Sequence, residues 1–390
     1  MKKTLTAMGA LMLGAAPALA GGIERAPQSI NILFEQGNYG ELSFGGANPK
    51  VEGRDIAPPQ LGGPYSTGDV AGGYGFFGLA YKHQFNDNLS GAFIIEQPFG
   101  ADIDYRLPQD GGSPVLGGTK VEVNSTTFTG LLRYKFENNF SVHGGLRASR
   151  ADGHVTLQGA AYDRIGSYYD LDIDGAWGFG WVAGAAYEIP EIAGRVSLTY
   201  NSPIEHDFDM TENGPAILAG TGGATDTLRG KHKVKTPRSW TLEGQTGVAE
   251  DTLVFGSIRW VKWSEFKVDN AVFPIQRPEG TVELVSLDDT TTYTLGVGRK
   301  FNDTWSGSAS LVYEPSKGDD ISPLAPYNGR KGITLAAIYT QDKIKITTGI
   351  NYSKLGGSNL GVGVEDDKTR VGHTDDGHIW GVGVRVGYSF

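Results

Sequence analysis

Cysteine is absent from this sequence of 390 residues. Disulfides, thiolate metal sites and thiol redox chemistry are therefore excluded. Apolar runs of 18 or more residues are missing beyond the first twenty residues, which excludes a membrane protein built from spanning helices. Basic residues are in the minority, with 34 Lys and Arg against 44 Asp and Glu. The net charge of −10 argues against nucleic acid as a partner, and we expect neither a cofactor nor a bound metal.

Glycine and aromatic residues are abundant instead. The chain holds 58 Gly, 17 Phe, 17 Tyr and 7 Trp, and glycine is thus about twice as frequent as usual. The mean hydropathy of −0.26 by itself suggests a soluble protein. Strands of a membrane barrel escape that average, because only alternate residues face lipid. The composition therefore leaves an all-β outer-membrane protein open.

The first twenty residues have the pattern of a secretory signal. Lys2 and Lys3 precede a short apolar core, and Ala18-Leu19-Ala20 forms a small-residue cleavage site. We predict a signal peptide over residues 1–20 and a mature chain from about Gly21. A retained N-terminal helix is the alternative.

The stretch "GVGVRVGYSF" at residues 381–390 alternates strictly between apolar and small or polar residues. A period of two predicts a β-strand with one apolar face, formed by Val382, Val384, Val386, Tyr388 and Phe390. If that face meets lipid, the strand closes a barrel against the first strand. Tyr388 and Phe390 also resemble the aromatic C-terminal signal that the outer-membrane assembly machinery reads.

Short and long connections alternate along the chain. Short turns rich in Asn and Asp occur in "QFNDNLSG", "KFENNFSV", "GVAEDTLVFG", "KFNDTWSG" and "YTQDKIKI", with a longer one in "YEIPEIAGRVS". Six such turns join twelve strands, and one strand precedes and one follows them. This predicts a transmembrane antiparallel barrel of 14 strands over residues 38–390, with short periplasmic turns and long outer loops. A soluble β-sandwich is the alternative.

The strand "GLLRYKFE" favours the barrel over the sandwich. Leu132, Tyr134 and Phe136 share one face, while Arg133 and Lys135 share the other. Two charges are expensive in the core of a sandwich but are tolerated in the polar lumen of a wide barrel. Aromatic residues beside the short turns predict an interfacial girdle, formed by Phe85, Phe136, Phe140, Tyr187, Phe301, Trp305 and Tyr339.

Two stretches, "QFNDNLSGAFIIEQPFGADIDY" and "TGLLRYKFENNFSVHGGLRASRADGHV", resemble the FadL/TodX family of outer-membrane transporters. The resemblance implies a monomeric barrel of 14 strands with an N-terminal hatch in its lumen. It also implies passive uptake of long-chain fatty acids or similar hydrophobic compounds, released sideways through an inward kink of the third strand. The surroundings would be outer-membrane lipid and lipopolysaccharide.

The third strand carries a break where the resemblance places the kink. Gln97-Pro98-Phe99-Gly100 interrupts a strand that begins at Leu89, and proline lacks the donor that a sheet ladder needs. We expect these four residues to form the portal. A simple β-bulge, or a proline beyond the paired part of the strand, is the alternative.

The hatch is expected over residues 21–37, which is shorter than in many relatives and lacks their Asn-Pro-Ala triplet. Its apolar residues Ile30, Ile32, Leu33 and Phe34 are candidates for a plug in the lumen. Candidate partners for a ligand carboxylate are Arg133, Lys135, Arg147 and Arg150, with Arg259 and Arg385 possible by position. Most of these residues are expected to form ion pairs.

Three loop stretches are apolar for exposed segments, namely 214–220, 270–276 and 322–327. They predict either an outer capture groove or loops that pack on each other.

Other functions remain open at this stage. His373, Asp375, Asp376 and His378 lie close in sequence and suggest a metal or acid/base site, as in an outer-membrane lipase, although a solvated loop fits them better. We therefore expect no enzyme. A general diffusion porin and a surface adhesin are further alternatives.

Overall fold

The computed structural model describes residues 23–26, 28–268, 284–285, 287–318, 320–364 and 367–390. The predicted signal peptide, the first two hatch residues and the loop stretch 270–276 lie outside these residues. Within them, no helix has both the length and the apolar character that crossing a membrane requires.

Fourteen antiparallel strands form a closed wall in the described part of the chain, as the sequence predicts. Their bounds are β1 Tyr39–Lys50, β2 Tyr74–Gln84, β3 Leu89–Glu96 with Gly100–Asp104, β4 Lys120–Lys135, β5 Phe140–Gln158, β6 Tyr168–Ile189, β7 Gly194–Asn201 with Ile204–Asn213, β8 Thr227–Thr236 with Ser239–Ala249, β9 Thr252–Val261, β10 Thr290–Lys300, β11 Trp305–Glu314, β12 Arg330–Gln341, β13 Ile344–Leu355 and β14 Gly377–Ser389. β1 pairs with β2 on one side and with β14 on the other, so the sheet closes on itself.

The side chains of the wall alternate between lipid and lumen. Leu132 and Tyr134 are 57% and 46% exposed, whereas Arg133 between them is 8% exposed. The same alternation holds in β14, where Val382 and Tyr388 face outward. An apolar outer surface around a polar interior is the arrangement of an outer-membrane barrel.

Tight turns join the strands at the periplasmic end. Asn139, Ala193, Asp251 and Asp342 adopt a positive φ there, which closes each connection within a few residues. Aromatic residues flank these turns, as predicted. The sequence analysis missed a second aromatic belt nearer the outer end, where the rings of Trp181 and Tyr200 lie 5.0 Å apart and those of Tyr200 and Trp240 4.7 Å apart. The apolar band of the wall lies between the two belts.

The outer loops pack into a cap over the barrel. Four short strands form a second sheet in the order Asp320–Ile321, Asn359–Val364, Asp367–Thr374 and Gly53–Asp55. Among the described residues, the outer connections also contain the α-helix α1 (Pro215–Gly220) and 3-10 turns at Pro59–Leu61, Pro108–Asp110, Ala160–Ile165 and Trp263–Glu265. Pro190–Ile192 forms a further 3-10 turn on the periplasmic side.

The cap has an apolar core. Tyr105, Leu116 and Leu360 are completely buried in it. Burial also raises the pKa of the Tyr162 hydroxyl, which therefore stays neutral at physiological pH. Leu324 of the stretch 322–327 is 4% exposed, and Ile217 of α1 is buried. The stretch 322–327 therefore packs inward, whereas α1 buries Ile217 and leaves Leu218 43% exposed.

Candidate lateral portal and lumen

The ladder between β2 and β3 is short. It pairs Leu79 to Gln84 with Ser90 to Ile95 and ends there, although β2 continues to Tyr74 and stays paired with β1. Pairing with β3 resumes only beyond β2, where the amide of Gly72 donates to the carbonyl of Asp102 at 2.9 Å. This leaves a gap in the ladder along Tyr74 to Gly78, which is about 16 Å long in the direction of the strands. We call this gap the β2–β3 seam.

The break in β3 causes the seam. Glu96 pairs with Thr127 of β4 and Gly100 with Asn124, so three residues of β3 face two of β4. The extra residue makes a bulge toward β4, while the side toward β2 is left without a ladder. The Gln97 side chain partly compensates, because its Oε1 accepts a hydrogen bond from the amide of Phe77 at 3.0 Å. The structure thus has a bulge on the side of β4 and an interrupted ladder on the side of β2, and the use of this break as a portal stays a prediction.

The N-terminal segment adds a short strand to the break from inside. Arg25 donates its amide to the carbonyl of Pro98 at 2.8 Å, and Gly100 donates to Ile23 at 2.8 Å. Glu24 and Phe99 are opposite each other between these two bonds. Backbone groups at the break therefore form hydrogen bonds with the hatch segment instead of with β2.

Phe99 reaches across the lumen. It is 4% exposed, and its ring lies 5.9 Å from that of Trp263, edge to face. Trp263 follows β9, six strands further along the wall. Ile23 and Val261 complete this apolar cluster. The kink therefore points inward and ends in this apolar cluster.

Four charged side chains lie beside that apolar cluster. Both carboxylate oxygens of Glu24 contact the guanidinium of Arg259, with Nε to Oε2 at 3.1 Å. Arg147 is close enough to Glu96, Arg259 and Glu24 for electrostatic interaction, and it is 3% exposed. Its Nη2 has no hydrogen-bond partner among the described residues. We call Glu24, Glu96, Arg147 and Arg259 the central charge cluster.

The Glu24–Arg259 pair should hold the hatch strand against the kink. In Arg259→Ala, we expect a buried unpaired carboxylate that costs about 3–5 kcal/mol, so that residues 23–26 detach. Trypsin should then cut after Arg25 much faster in the folded, detergent-solubilised barrel. Glu24→Gln with Arg259→Gln removes both charges and should protect Arg25 better than the single variant. Equal cleavage of wild type and Arg259→Ala would contradict the anchoring role.

The predicted plug residues lie in the lumen near the periplasmic end. Ile30 precedes a 3-10 turn, Asn31–Phe34, and Ile30, Ile32, Leu33 and Phe34 are all at most 9% exposed. They pack against small and apolar lumen side chains, which are Ala80, Ala92, Ile94, Leu131, Val182 and Ala186. The turn therefore fills the barrel between β2, β3, β4 and β6.

Basic wall residues hold this turn. Arg133 donates from Nη1 to the Leu33 carbonyl at 3.2 Å, and Arg195 donates from Nη2 to the Asn31 side chain at 2.7 Å. Both guanidiniums stack on the Phe34 ring, at 4.5 and 4.0 Å from its centroid. Lys82 donates to the Glu35 carbonyl at 2.6 Å, which fixes the exit of the hatch. The guanidinium donors of Arg133 are therefore engaged by the hatch and by wall residues, which leaves few of them for a ligand.

The other predicted head-group residues lie apart from one another. Lys135 pairs with Glu188 at 3.3 Å near the periplasmic mouth, and Arg147 lies in the central charge cluster. Arg150 lies on the outer surface, where its Nη1 is 3.1 Å from Asp152 Oδ1. The prediction that Arg150 belongs to the lumen set is wrong, because Arg150 lies three positions after the inward Arg147 and successive side chains of a strand point to opposite faces.

A polar cavity of about 1150 Å³ lies below the hatch. Charged side chains line it, including Lys82, Arg133, Lys135, Glu188, Arg195 and Lys345. It opens between the periplasmic turns. The lumen thus holds apolar clusters at the hatch and the kink beside buried charged residues, and it is polar and open beneath them.

The histidine-rich loop before β14 does not converge on a site. His373 Nε2 lies 3.9 Å from Asp375, while His378 packs beside Tyr352 with ring centroids 6.1 Å apart. At the end of the same strand, the rings of Tyr388 and Phe390 lie 5.0 Å apart in the periplasmic girdle.

Sequence reasoning missed three parts of this region: the pairing of Ile23–Ala26 with the kink, the Trp263 cluster, and Arg195. Each joins residues that are far apart in sequence. The acidic Glu24 within the apolar-rich hatch was the one available signal, since a carboxylate expected inside a barrel implies a basic partner on the wall.

Comparison with known proteins agrees with this architecture. The family described as "Outer membrane protein transport protein (OMPP1/FadL/TodX)" matches residues 25–390. The long-chain fatty acid transport protein of Escherichia coli K12 is 24% identical over 356 residues, which covers 78% of this chain and 75% of that protein. Outer membrane protein P1 of Haemophilus influenzae is 26% identical over 239 residues, with 57% and 50% covered.

Solved structures share the fold. A FadL homologue of Pseudomonas aeruginosa superposes with a TM-score of 0.75 at 16% identity and covers 92% of each chain. The toluene transporter TodX of Pseudomonas putida gives 0.62 at 14% identity, with 97% of this chain and 98% of that one covered. The family match over residues 25–390, together with the closed barrel, places the protein in the outer membrane and among transporters rather than enzymes. The chain belongs to the OMPP1/FadL/TodX family of outer-membrane transport proteins.

Proposed function

We propose that this protein takes up long-chain fatty acids by passive diffusion and releases them sideways into the outer membrane through the β2–β3 seam. The observation that carries the proposal is the seam itself. It is a gap in the wall at the depth of the outward-facing rings of Phe77 and Phe93, and hatch residues close it from inside. Movement of residues 23–26 would join the apolar cluster at Phe99 and Trp263 to the lipid.

The polarity of the lumen supports lateral over downward release. An acyl chain loses about 0.8 kcal/mol for each methylene that passes from an apolar site into water. The path toward the periplasm crosses the plug and then the charged cavity below it. The path through the seam runs from the apolar cluster directly into hydrocarbon, so the apolar part of the ligand stays buried throughout.

The central charge cluster supports an acid as the ligand. Arg147 is buried, and its free Nη2 is available to a carboxylate that enters from the apolar cluster. A neutral hydrocarbon has no group for this position. The Escherichia coli relative carries fatty acids by name and the Pseudomonas putida neighbour carries toluene, so both ligand classes occur among related proteins.

Uptake by cells that lack their own transporter tests the substrate. We expect cells expressing this chain to accumulate radiolabelled long-chain fatty acid well above vector controls, at a surface abundance verified on whole cells. Toluene uptake at the control level would agree with an acid-selective route, whereas toluene without fatty acid uptake would contradict the proposed ligand.

A general porin is the competing function, and liposomes separate the two. Swelling in small hydrophilic sugars should match that of empty liposomes, because plug and cap fill both ends of the barrel. Rapid swelling would favour the porin. Monomeric assembly, contact with lipopolysaccharide, and recognition of Tyr388 and Phe390 by the assembly machinery remain predictions.

A further inference from the structure

A cluster of potential metal ligands lies on the outer surface of the barrel. His154 of β5 lies opposite Asp172 of β6, and Thr156 lies opposite Asp170. One ligand atom from each of His154, Asp170 and Asp172 falls within 4.8 Å of the others. Among the described residues, this is the one group of three or more such side chains that meets that limit.

The contacts within the cluster are close. His154 Nδ1 is 2.7 Å from Asp172 Oδ1, and Nε2 is 3.2 Å from Asp170 Oδ2. The Thr156 hydroxyl donates to Asp170 at 3.0 Å. Two paired strands carry all four residues, so the backbone holds their spacing without a ligand. The two carboxylates contact different imidazole nitrogens, so a zinc ion on one nitrogen also requires a turn of the His154 ring or of one aspartate side chain, which places an oxygen of each carboxylate about 2 Å from the metal.

The cluster stands above the lipid. Phe140 in the periplasmic girdle and the outward Arg150 are separated by about 33 Å of strand, or about 25 Å along the axis of a tilted barrel strand, which is the height of the apolar band. His154 lies four residues further out. The side chains of His154, Asp170 and Asp172 are 34%, 16% and 58% exposed, so an ion reaches them from the outside.

The surrounding charges leave the two aspartates available. Glu122 of β4 lies opposite His154 but pairs with Lys120 at 2.8 Å, and Asp152 pairs with Arg150. No Lys or Arg ion pair joins Asp170 or Asp172 within the described residues. Acidic groups therefore dominate around the imidazole, which favours a cation.

We propose that His154, Asp170 and Asp172 bind a divalent transition-metal ion such as Zn²⁺ on the outer face of the barrel. One imidazole with two carboxylates suits zinc, whereas calcium and magnesium prefer oxygen ligands alone. The fourth position opens outward, to water or to a phosphate oxygen of the surrounding lipopolysaccharide. The site faces away from the lumen and acts independently of transport.

Calorimetric titration of the folded barrel tests the site. The protein is purified without a histidine tag, stripped with chelator, and titrated with ZnCl2 and with CaCl2. We expect one Zn²⁺ per chain and much weaker Ca²⁺ binding. His154→Gln and the double variant Asp170→Asn with Asp172→Asn should each weaken Zn²⁺ binding by roughly tenfold or more, the loss that even outer-shell changes produce at metal sites.

His373→Gln is the matched control, because His373 also lies near an aspartate in the outer region. The Zn²⁺ affinity of this variant should equal that of the wild-type protein. Folding of each variant is verified by heat-dependent mobility in gels. Equal Zn²⁺ affinity in wild type and in His154→Gln would overturn the proposal. Ca²⁺ binding as tight as that of Zn²⁺ would overturn the choice of ion.

Discussion

Deletion of Pro98 is expected to reduce fatty acid uptake to the level of cells without the barrel. The deletion leaves two residues between Glu96 and Gly100, opposite the two residues of β4 between Asn124 and Thr127. The ladder then continues through the break in one register, and a straightened β3 can pair with Tyr74 to Gly78. The measurement is uptake of radiolabelled fatty acid at equal surface abundance.

Two substitutions separate the extra residue from the proline. Pro98→Ala restores a donor but keeps three residues against two, so the bulge and most of the uptake should remain. Pro203→Ala alters a proline that interrupts β7, where the wall stays paired with β6 and β8, and should not change uptake. Full uptake after deletion of Pro98 would exclude the seam as the route.

A disulfide between residues 24 and 99 should block uptake reversibly. Glu24 and Phe99 form a non-hydrogen-bonded antiparallel pair, since the bonds on either side run from Arg25 to Pro98 and from Gly100 to Ile23. Such pairs place Cα atoms about 4.5 Å apart, within the range of a disulfide. Glu24→Cys with Phe99→Cys, oxidised in the periplasm, fixes the hatch to the kink.

The absence of native cysteine makes this experiment clean. We expect uptake near background in the oxidised protein and recovery after mild reduction, with the crosslink followed by peptide mass spectrometry. Glu24→Cys alone controls for loss of the contact with Arg259, and Phe99→Cys alone controls for loss of the contact with Trp263. Reductant should not change fatty acid uptake by either single variant. Equal uptake before and after reduction would mean that ligand passes without movement of residues 23–26.

Part of the candidate site could be predicted from short stretches of sequence. Pro98 lacks a donor whatever surrounds it, so the sequence located the break in β3, whereas the extra residue that makes the bulge is seen only in the pairing with β4. Ile30, Ile32, Leu33 and Phe34 are apolar in a segment outside any strand, which predicted a buried plug. Arg150 was misassigned because its charge was considered without its position in the alternation, which places it on the face opposite Arg147.

The contact partners of these residues could not be predicted from the sequence. Glu24 contacts Arg259, which is 235 positions away in the chain. Arg133 was predicted as a ligand group and instead binds the Leu33 carbonyl. Each contact crosses a lumen that exists only after β1 meets β14.

The sequence by itself determined the class of protein, the strand count and the face that meets lipid. These features depend on turn residues and on a period of two, which act over a few neighbouring positions. Tertiary structure alone decided where neighbouring strands stay unpaired, what packs against that break from inside, and which partners the buried arginines meet. Those outcomes depend on which strands become neighbours and on what the hatch meets inside the closed barrel, and no local pattern of residues encodes such distant contacts.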